Sequence, residues 1–266
     1  MPLPSDFPAA CEEAWERVRN APGFLTEREA RFLALVAAAT PAQGVILEIG
    51  SFKGKSTVGL ASVAARYDLG TVVAVDPFTA PSSTDPNLHG RPSSYQDFAA
   101  TLTQAGVTEH VEVHRVYSRD LARRWNRPIR FLWIDGDHTF NGAKEDVDLF
   151  TPFLAQGGIV ALHDVLHSFE GPIRVFVEDI LGSDRYGPAG CCGSIGWAQY
   201  RPRDGASPSI RAARLALARR AAHLIPLARR GQQLRGLAKL RYQLYRALVP
   251  HGDVDAAAWA ESVSLS

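Results

Sequence analysis

The 266-residue chain has no run of ~18 consecutive apolar residues, the length a helix needs to cross a bilayer, so no membrane-spanning helix is expected. Cysteine is scarce. Cys11, Cys191 and Cys192 are too few and too irregularly spaced for a disulfide framework or a zinc site, and vicinal cysteines rarely bridge each other. The amino-terminal stretch carries acids and lacks the apolar centre of a secretion signal. A reducing cytoplasm is therefore the expected location. Glycine (22) and proline (17) are not in excess, which excludes collagen-like and low-complexity classes. What is present is an ordinary globular balance, 46% hydrophobic and 21% charged. The length suits one α/β domain of roughly 150–200 residues with terminal additions.

The net charge is only +1, but it is unevenly spread. Residues 203–266 hold eleven Arg or Lys against four acids, a net +7, so residues 1–202 carry −6. Three readings compete for the basic tail: a helical extension packed on the domain or on another subunit with its arginines solvated; an interfacial helix on an anionic membrane; and a nucleic-acid contact. Nucleic acid ranks last, because Tyr242 and Tyr245 make no stacking groove and no RNA-binding module is evident.

Hydrophobic periodicity divides the chain into three parts. Residues 1–43 read as a helical cap. Ala10, Ala14, Trp15 and Val18 share one helical face, and Thr26 with Glu29 forms a capping box before the apolar run Phe32–Ala39. In residues 44–201, short apolar strands at 45–49, 71–75, 111–116, 129–134, 158–162 and 194–200 alternate with helical stretches. That alternation implies a mostly parallel sheet covered on both faces. Residues 202–266 form a basic helical extension, broken near Pro226 and Gly231.

Ligands in such sheets bind beyond the carboxyl ends of the strands. Four chemically loaded segments stand there: Glu48 to Ser56, Asp76-Pro77-Phe78, Asp135-Gly136-Asp137-His138 and His163-Asp164. Gly50 and Gly54 permit a tight turn. Gly54-Lys55-Ser56 imitates the end of a nucleoside-triphosphate loop, but Ile49 stands where that loop needs its first glycine. A carboxylate at Asp76 can accept from both hydroxyls of a ribose. A generic strand-to-helix turn, and helix capping by His163 and Asp164, are the plain structural alternatives.

LEIGSFKGKST, VVAVDPF and FLWIDGDHTFNGAKEDVDLFTPFLAQGGIVALHDV together resemble the class I S-adenosylmethionine-dependent methyltransferases from about Gly44 to Tyr200. The third motif is similar to the branch of metal-assisted O-methyltransferases acting on sugars and other small molecules. The resemblance implies an α/β Rossmann-like sheet, seven-stranded and mostly parallel. It implies that Gly50, Ser51 and Gly54 line the methionine part of the cofactor, with Ser56 at the start of the following helix. Glu48 orients that loop or the methionine amine. Asp76 takes the ribose hydroxyls, Pro77 and Phe78 lie beside the adenine, Ser118 supplies a further adenine contact, and Asp135 sits near the methyl donor.

A divalent cation, Mg²⁺ or Mn²⁺, is expected on Asp135, His163 and Asp164, with Asp137 as the substitute ligand. The nitrogen of His163 suits manganese, iron or zinc better than magnesium. His138 is the expected base, with His163 or His167 as alternatives and a hydrogen-bonding role beside Asp135 as its structural one. The long connection from Asp76 to Tyr95 is expected to close over the acceptor, together with the first helices and residues 168–171. The expected reaction is methyl transfer to a hydroxyl of a saccharide or glycoside, by a protein that could form homo-oligomers. Competing readings are a catechol or phenol O-methyltransferase, an amine methyltransferase, a nucleotide-binding ATPase and a binding module without catalysis.

Overall fold

The computed structural model describes residues 3–79, 93–202, 207–229 and 234–265. Its centre is a sheet of β1 (Val45–Ile49), β2 (Val72–Val75), β3 (Val111–His114), β4 (Ile129–Ile134), β5 (Leu154–Leu162), β6 (Tyr186–Cys192) and β7 (Ile195–Tyr200). The order across the sheet is β3-β2-β1-β4-β5-β7-β6. The first five strands are parallel, and β7 runs antiparallel between β5 and β6. This is the seven-stranded Rossmann-like sheet of class I methyltransferases.

Strand side chains alternate between two cores, as the period of two requires. Ile46, Val72, Ala74, Phe131, Trp133, Ile159 and Ala161 face one side. They meet α1 (Phe7–Val18), α2 (Glu27–Ala39), α3 (Lys55–Arg66) and α4 (Tyr95–Ala105). Leu47, Val73, Val75, Leu132, Ile134, Val160 and Leu162 face the other. There they meet α5 (Ser118–Ala122), α6 (Phe140–Phe150) and α7 (Glu170–Val175), which continues as a π-helical turn through Leu181. With both faces covered, the parallel strands read as nearly continuous apolar runs.

The capping box at α2 forms as expected: Thr26 accepts from the Glu29 amide and the Glu29 carboxylate accepts from the Thr26 amide. The final hairpin differs from the expectation of a single last strand. β6 is Tyr-Gly-Pro-Ala-Gly-Cys-Cys, whose glycines and proline hide its strand character, and it pairs with β7 across a turn at Gly193-Ser194. Cys191 and Cys192 are free and buried, and they point into opposite cores.

The carboxyl-terminal extension wraps both faces. α8 (Pro208–Ala222), α9 (Ile225–Ala228) and α10 (Gly236–Leu248) join the second core. α11 (Ala256–Val263) joins the first. Arg214 of α8 is buried and donates to the Leu181 and Ser183 carbonyls at the end of the π-turn. Trp259 of α11 packs edge-on to Phe32 and Trp197, with ring centroids 5.9 Å and 5.2 Å away. Deleting that ring leaves a cavity beneath α2. Trp259→Ala is expected to lower stability by about 3–5 kcal/mol, read by urea unfolding. A loss under ~1 kcal/mol would show that α11 is dispensable to the core.

Candidate active site at the strand tips

β1 and β4 are neighbours, yet the chain leaves them for opposite faces, to α3 and α6. A crevice opens where such connections part. Gly50 stands at its floor with φ +87°, and a β-carbon there would collide with the Asp135 carbonyl. No other residue type allows β1 and β4 to end so close together. Gly54, φ +88°, starts α3.

The Glu48 side chain is fully buried and accepts from the hydroxyls of Ser56 and Thr57 in the first turn of α3. Ser56 is correspondingly engaged with Glu48. Burial pushes the Glu48 carboxyl up to about 7, against the hydroxyl donors, and the charge of Asp135 adds to the rise. Ser51 is also buried beside this turn.

Asp76, at the tip of β2, ties two turns together. One carboxylate oxygen accepts from the Phe52 amide at 2.8 Å and the other from the Phe78 amide at 2.6 Å. Both donors are non-glycine residues in the left-handed region, φ +46° and +52°. Such strain persists where the surroundings enforce it. Burial raises the Asp76 pKa against these amides. A carboxylate has about four acceptor positions, so two remain for other donors. The Phe78 ring does not lie open beside the crevice as the resemblance implied. It is buried in the aromatic cluster with Phe98 and Tyr95, at 4.9 and 5.4 Å, leaving its backbone and Pro77 at the rim. The central part of the connection expected to close over the acceptor, residues 80–92, lies outside the described residues.

Ser118 begins α5 and donates to Asp146 of α6. Burial pushes Asp146 up to about 7 despite that hydroxyl. Nothing in the sequence marked Asp146, because its burial comes from α5 and the Gly136 turn closing over it.

The tips of β4 and β5 hold the densest polar group. Ligand atoms of Asp135, His138 and Asp164 all lie within 4.8 Å of one another. His138 Nε2 is 3.1 Å from Asp164 and 3.7 Å from Asp135, is buried, and makes no hydrogen bond of acceptable geometry. Its ring stacks on Phe169 at 4.4 Å. Burial alone would lower the His138 pKa, but Asp135 and Asp164 outweigh it and raise it to about 9. An imidazolium between two carboxylates holds the place where a divalent cation would balance the same charge. Two carboxylates and an imidazole are a donor set such a cation accepts.

The expected trio of Asp135, His163 and Asp164 also lies together, with His163 Nδ1 3.6 Å from Asp164. His163 is buried with Nδ1 3.2 Å from Asp135, and its Nε2 is 3.7 Å from Glu29. Its pKa is raised well above the usual value; burial opposes the rise, and the Asp135 charge is the largest contribution to it. Asp137 is turned away to accept from the Thr139 amide at the start of α6. His167 is half-exposed and 2.6 Å from Asp164. Burial works against ionisation of Asp164, yet His138, His167 and His163 hold its carboxyl well below the usual range.

Glu29 was legible only as a capping residue. It is nearly inaccessible, also accepts from the Ser194 amide and hydroxyl, and backs His163. Burial opposes its ionisation, but His163, Ser194 and Thr26 keep it ionised far below its usual range.

Glu48 and Asp146 make a pH prediction whose sign is fixed. Their folded pKa values, about 7, exceed the reference values of 4.5 and 3.8. The fold therefore retains protons that the unfolded chain has released, and stability falls as pH rises through that window. Glu48→Gln and Asp146→Asn are expected to flatten this fall in urea unfolding measured against pH. A slope unchanged in both variants would contradict the assignment.

Residues 47–165 match the family model described as a methyltransferase domain. The fold is similar to cofactor-bound Rv0187 from MTB (19% identity, 75% of this chain and 92% of that one, TM-score 0.53). It is similar to the O-methyltransferase from Bacillus cereus in complex with SAH (20%, 74% and 92%, 0.50). It is also similar to the O-methyltransferase TomG from Streptomyces achromogenes, involved in tomaymycin synthesis, in complex with SAM (19%, 76% and 92%, 0.51). The matched segment spans all four strand tips just described, and the sheet has the fold of the class I S-adenosylmethionine-dependent methyltransferases.

Proposed function

We propose that the protein transfers a methyl group from S-adenosylmethionine to a hydroxyl of a small acceptor, a saccharide or glycoside, with a divalent cation at the tips of β4 and β5. The observation that carries this reading is the convergence of Asp135, His138 and Asp164 beside the Gly50–Asp76 crevice. The O-methyltransferases from Bacillus cereus and Streptomyces achromogenes share the fold, which supports oxygen as the acceptor atom. An aliphatic hydroxyl is a poor nucleophile near neutral pH. A bound cation would lower its pKa and fix its orientation. The partly buried Phe169 ring beside His138 offers a flat apolar face against which a sugar ring can lie.

In this reading Gly50, Ser51 and Gly54 cradle the methionine end of the cofactor, and the free acceptor positions of Asp76 take the ribose hydroxyls. Pro77, the Phe78 backbone and Ser118 border the adenine. Asp135 and Asp164 give the carboxylate ligands. His138 accepts the hydroxyl proton at Nε2 as the carbon–sulfur bond breaks and the carbon–oxygen bond forms. With the carboxylates bare, their field holds that nitrogen protonated. Positive charge placed on them favours the neutral, proton-accepting form.

Asp76→Ala is expected to weaken S-adenosylhomocysteine binding by about 1–3 kcal/mol in calorimetry; unchanged affinity would remove the ribose role. Titration of the wild type with Mn²⁺ should show a site that Asp164→Asn abolishes, and a wild type that binds no Mn²⁺ argues against the cation. His138→Ala should lower labelled methyl transfer across a glycoside panel ~100-fold or more, with cofactor affinity retained. Loss of Mn²⁺ binding in the same variant would make His138 a ligand rather than the base.

A further inference from the structure

The basic carboxyl-terminal helices place their apolar side chains unusually. Leu237, Leu240, Leu244 and Leu248 of α10 are 79%, 52%, 59% and 57% exposed. Spacings of three, four and four residues put them on one stripe. The opposite side of α10 is the packed one: Tyr242 is buried, Val249 closes the end, and Tyr245 stacks on His223 at 5.1 Å. The leucine stripe is therefore not a core face of the single chain. Exposed Arg241 borders it, exposed Lys239 lies about 100° round the helix from its edge at Leu240, and Arg235 precedes the helix. No acid occurs between Asp204 and Asp253.

We infer that α10 is a docking surface for an anionic lipid bilayer, lying in the plane of the interface with the four leucines inserted among the acyl chains and the basic rim at the headgroups. An apolar stripe with lysine and arginine on its flanks has the chemistry of an interfacial helix. The charge pattern chooses lipid over a second copy of the chain, because pairing two such faces would set the uncompensated basic rims against each other. Among the described residues no helix is long and apolar enough to cross a membrane, so the contact is peripheral. On its packed side α10 lies near the loop that follows β5, where Tyr242 is buried close to Asp164. Docking holds that loop about one helix diameter, ~10 Å, from the lipid surface.

The test is co-sedimentation of the full chain with phosphatidylcholine vesicles, with and without phosphatidylglycerol, at low and high salt. The wild type should pellet with the phosphatidylglycerol vesicles at low salt and be largely released at high salt. Leu240→Glu with Leu244→Glu should reduce partitioning ~tenfold or more. Lys239→Gln and Arg241→Gln should each cost about fivefold. All four side chains are exposed, so thermal unfolding should match the wild type and separate lost docking from lost folding. The inference is overturned if the wild type stays in the supernatant at low salt, if the double-glutamate chain pellets like the wild type, or if the leucines instead hold a dimer that leaves vesicles unbound in analytical centrifugation.

Discussion

The close ending of β1 against β4 is the constraint on which the site depends. The Asp135 amide donates to the Ile49 carbonyl at 2.8 Å, and Gly50 passes with no side chain to hold the strands apart. From that point one connection rises to α3 and the other to α6, on opposite faces of the sheet. The crevice is the gap they leave, and the side chains at its rim face it because the strands end there. A residue with a β-carbon at position 50 would force the tips apart and disperse those groups.

The acids at the tips divide by the partners they have found. Glu48 and Asp76 spend their oxygens on the protein itself, one on the first turn of α3 and the other on two left-handed amides. They shape the loops that border the crevice. Asp135 and Asp164 meet imidazoles instead, and an imidazole can exchange its proton or give way to a cation. His163, set between Asp135 and the buried Glu29, joins this cluster to the start of α2 and the β6–β7 turn. The polar chemistry of the site thus extends through the sheet into elements remote in sequence. The carboxyl-terminal helices close the same region from outside, since Arg229 pairs with Glu170 at 2.9 Å and Tyr242 is buried in the second core.

Much of this was legible in the residues. β1, β2, β4 and the end of β5 announced themselves as apolar runs followed by a polar turn, because a strand buried on both faces cannot alternate, whereas the edge strand β3, Val-Glu-Val-His, does alternate. The positions of Gly50, Asp76, Asp135 and Asp164 at strand ends followed from the same pattern. β6 escaped because its two glycines and proline lower its strand propensity, and pairing with β7 supplies what propensity does not. The buried roles of Glu29 and Asp146 escaped because each looks, in sequence, like an ordinary helix acid.

The succession of strands and helices along the chain and the acids at the strand tips were determined by local sequence, through hydrophobic period and turn chemistry that act within a few residues. Tertiary structure alone decided that His138 joins His163 against Asp135 and Asp164, that the Phe78 ring turns inward, and that the α10 leucines turn outward. Those choices depend on which side of an element is covered by a partner tens or hundreds of residues away, and no local pattern carries that information.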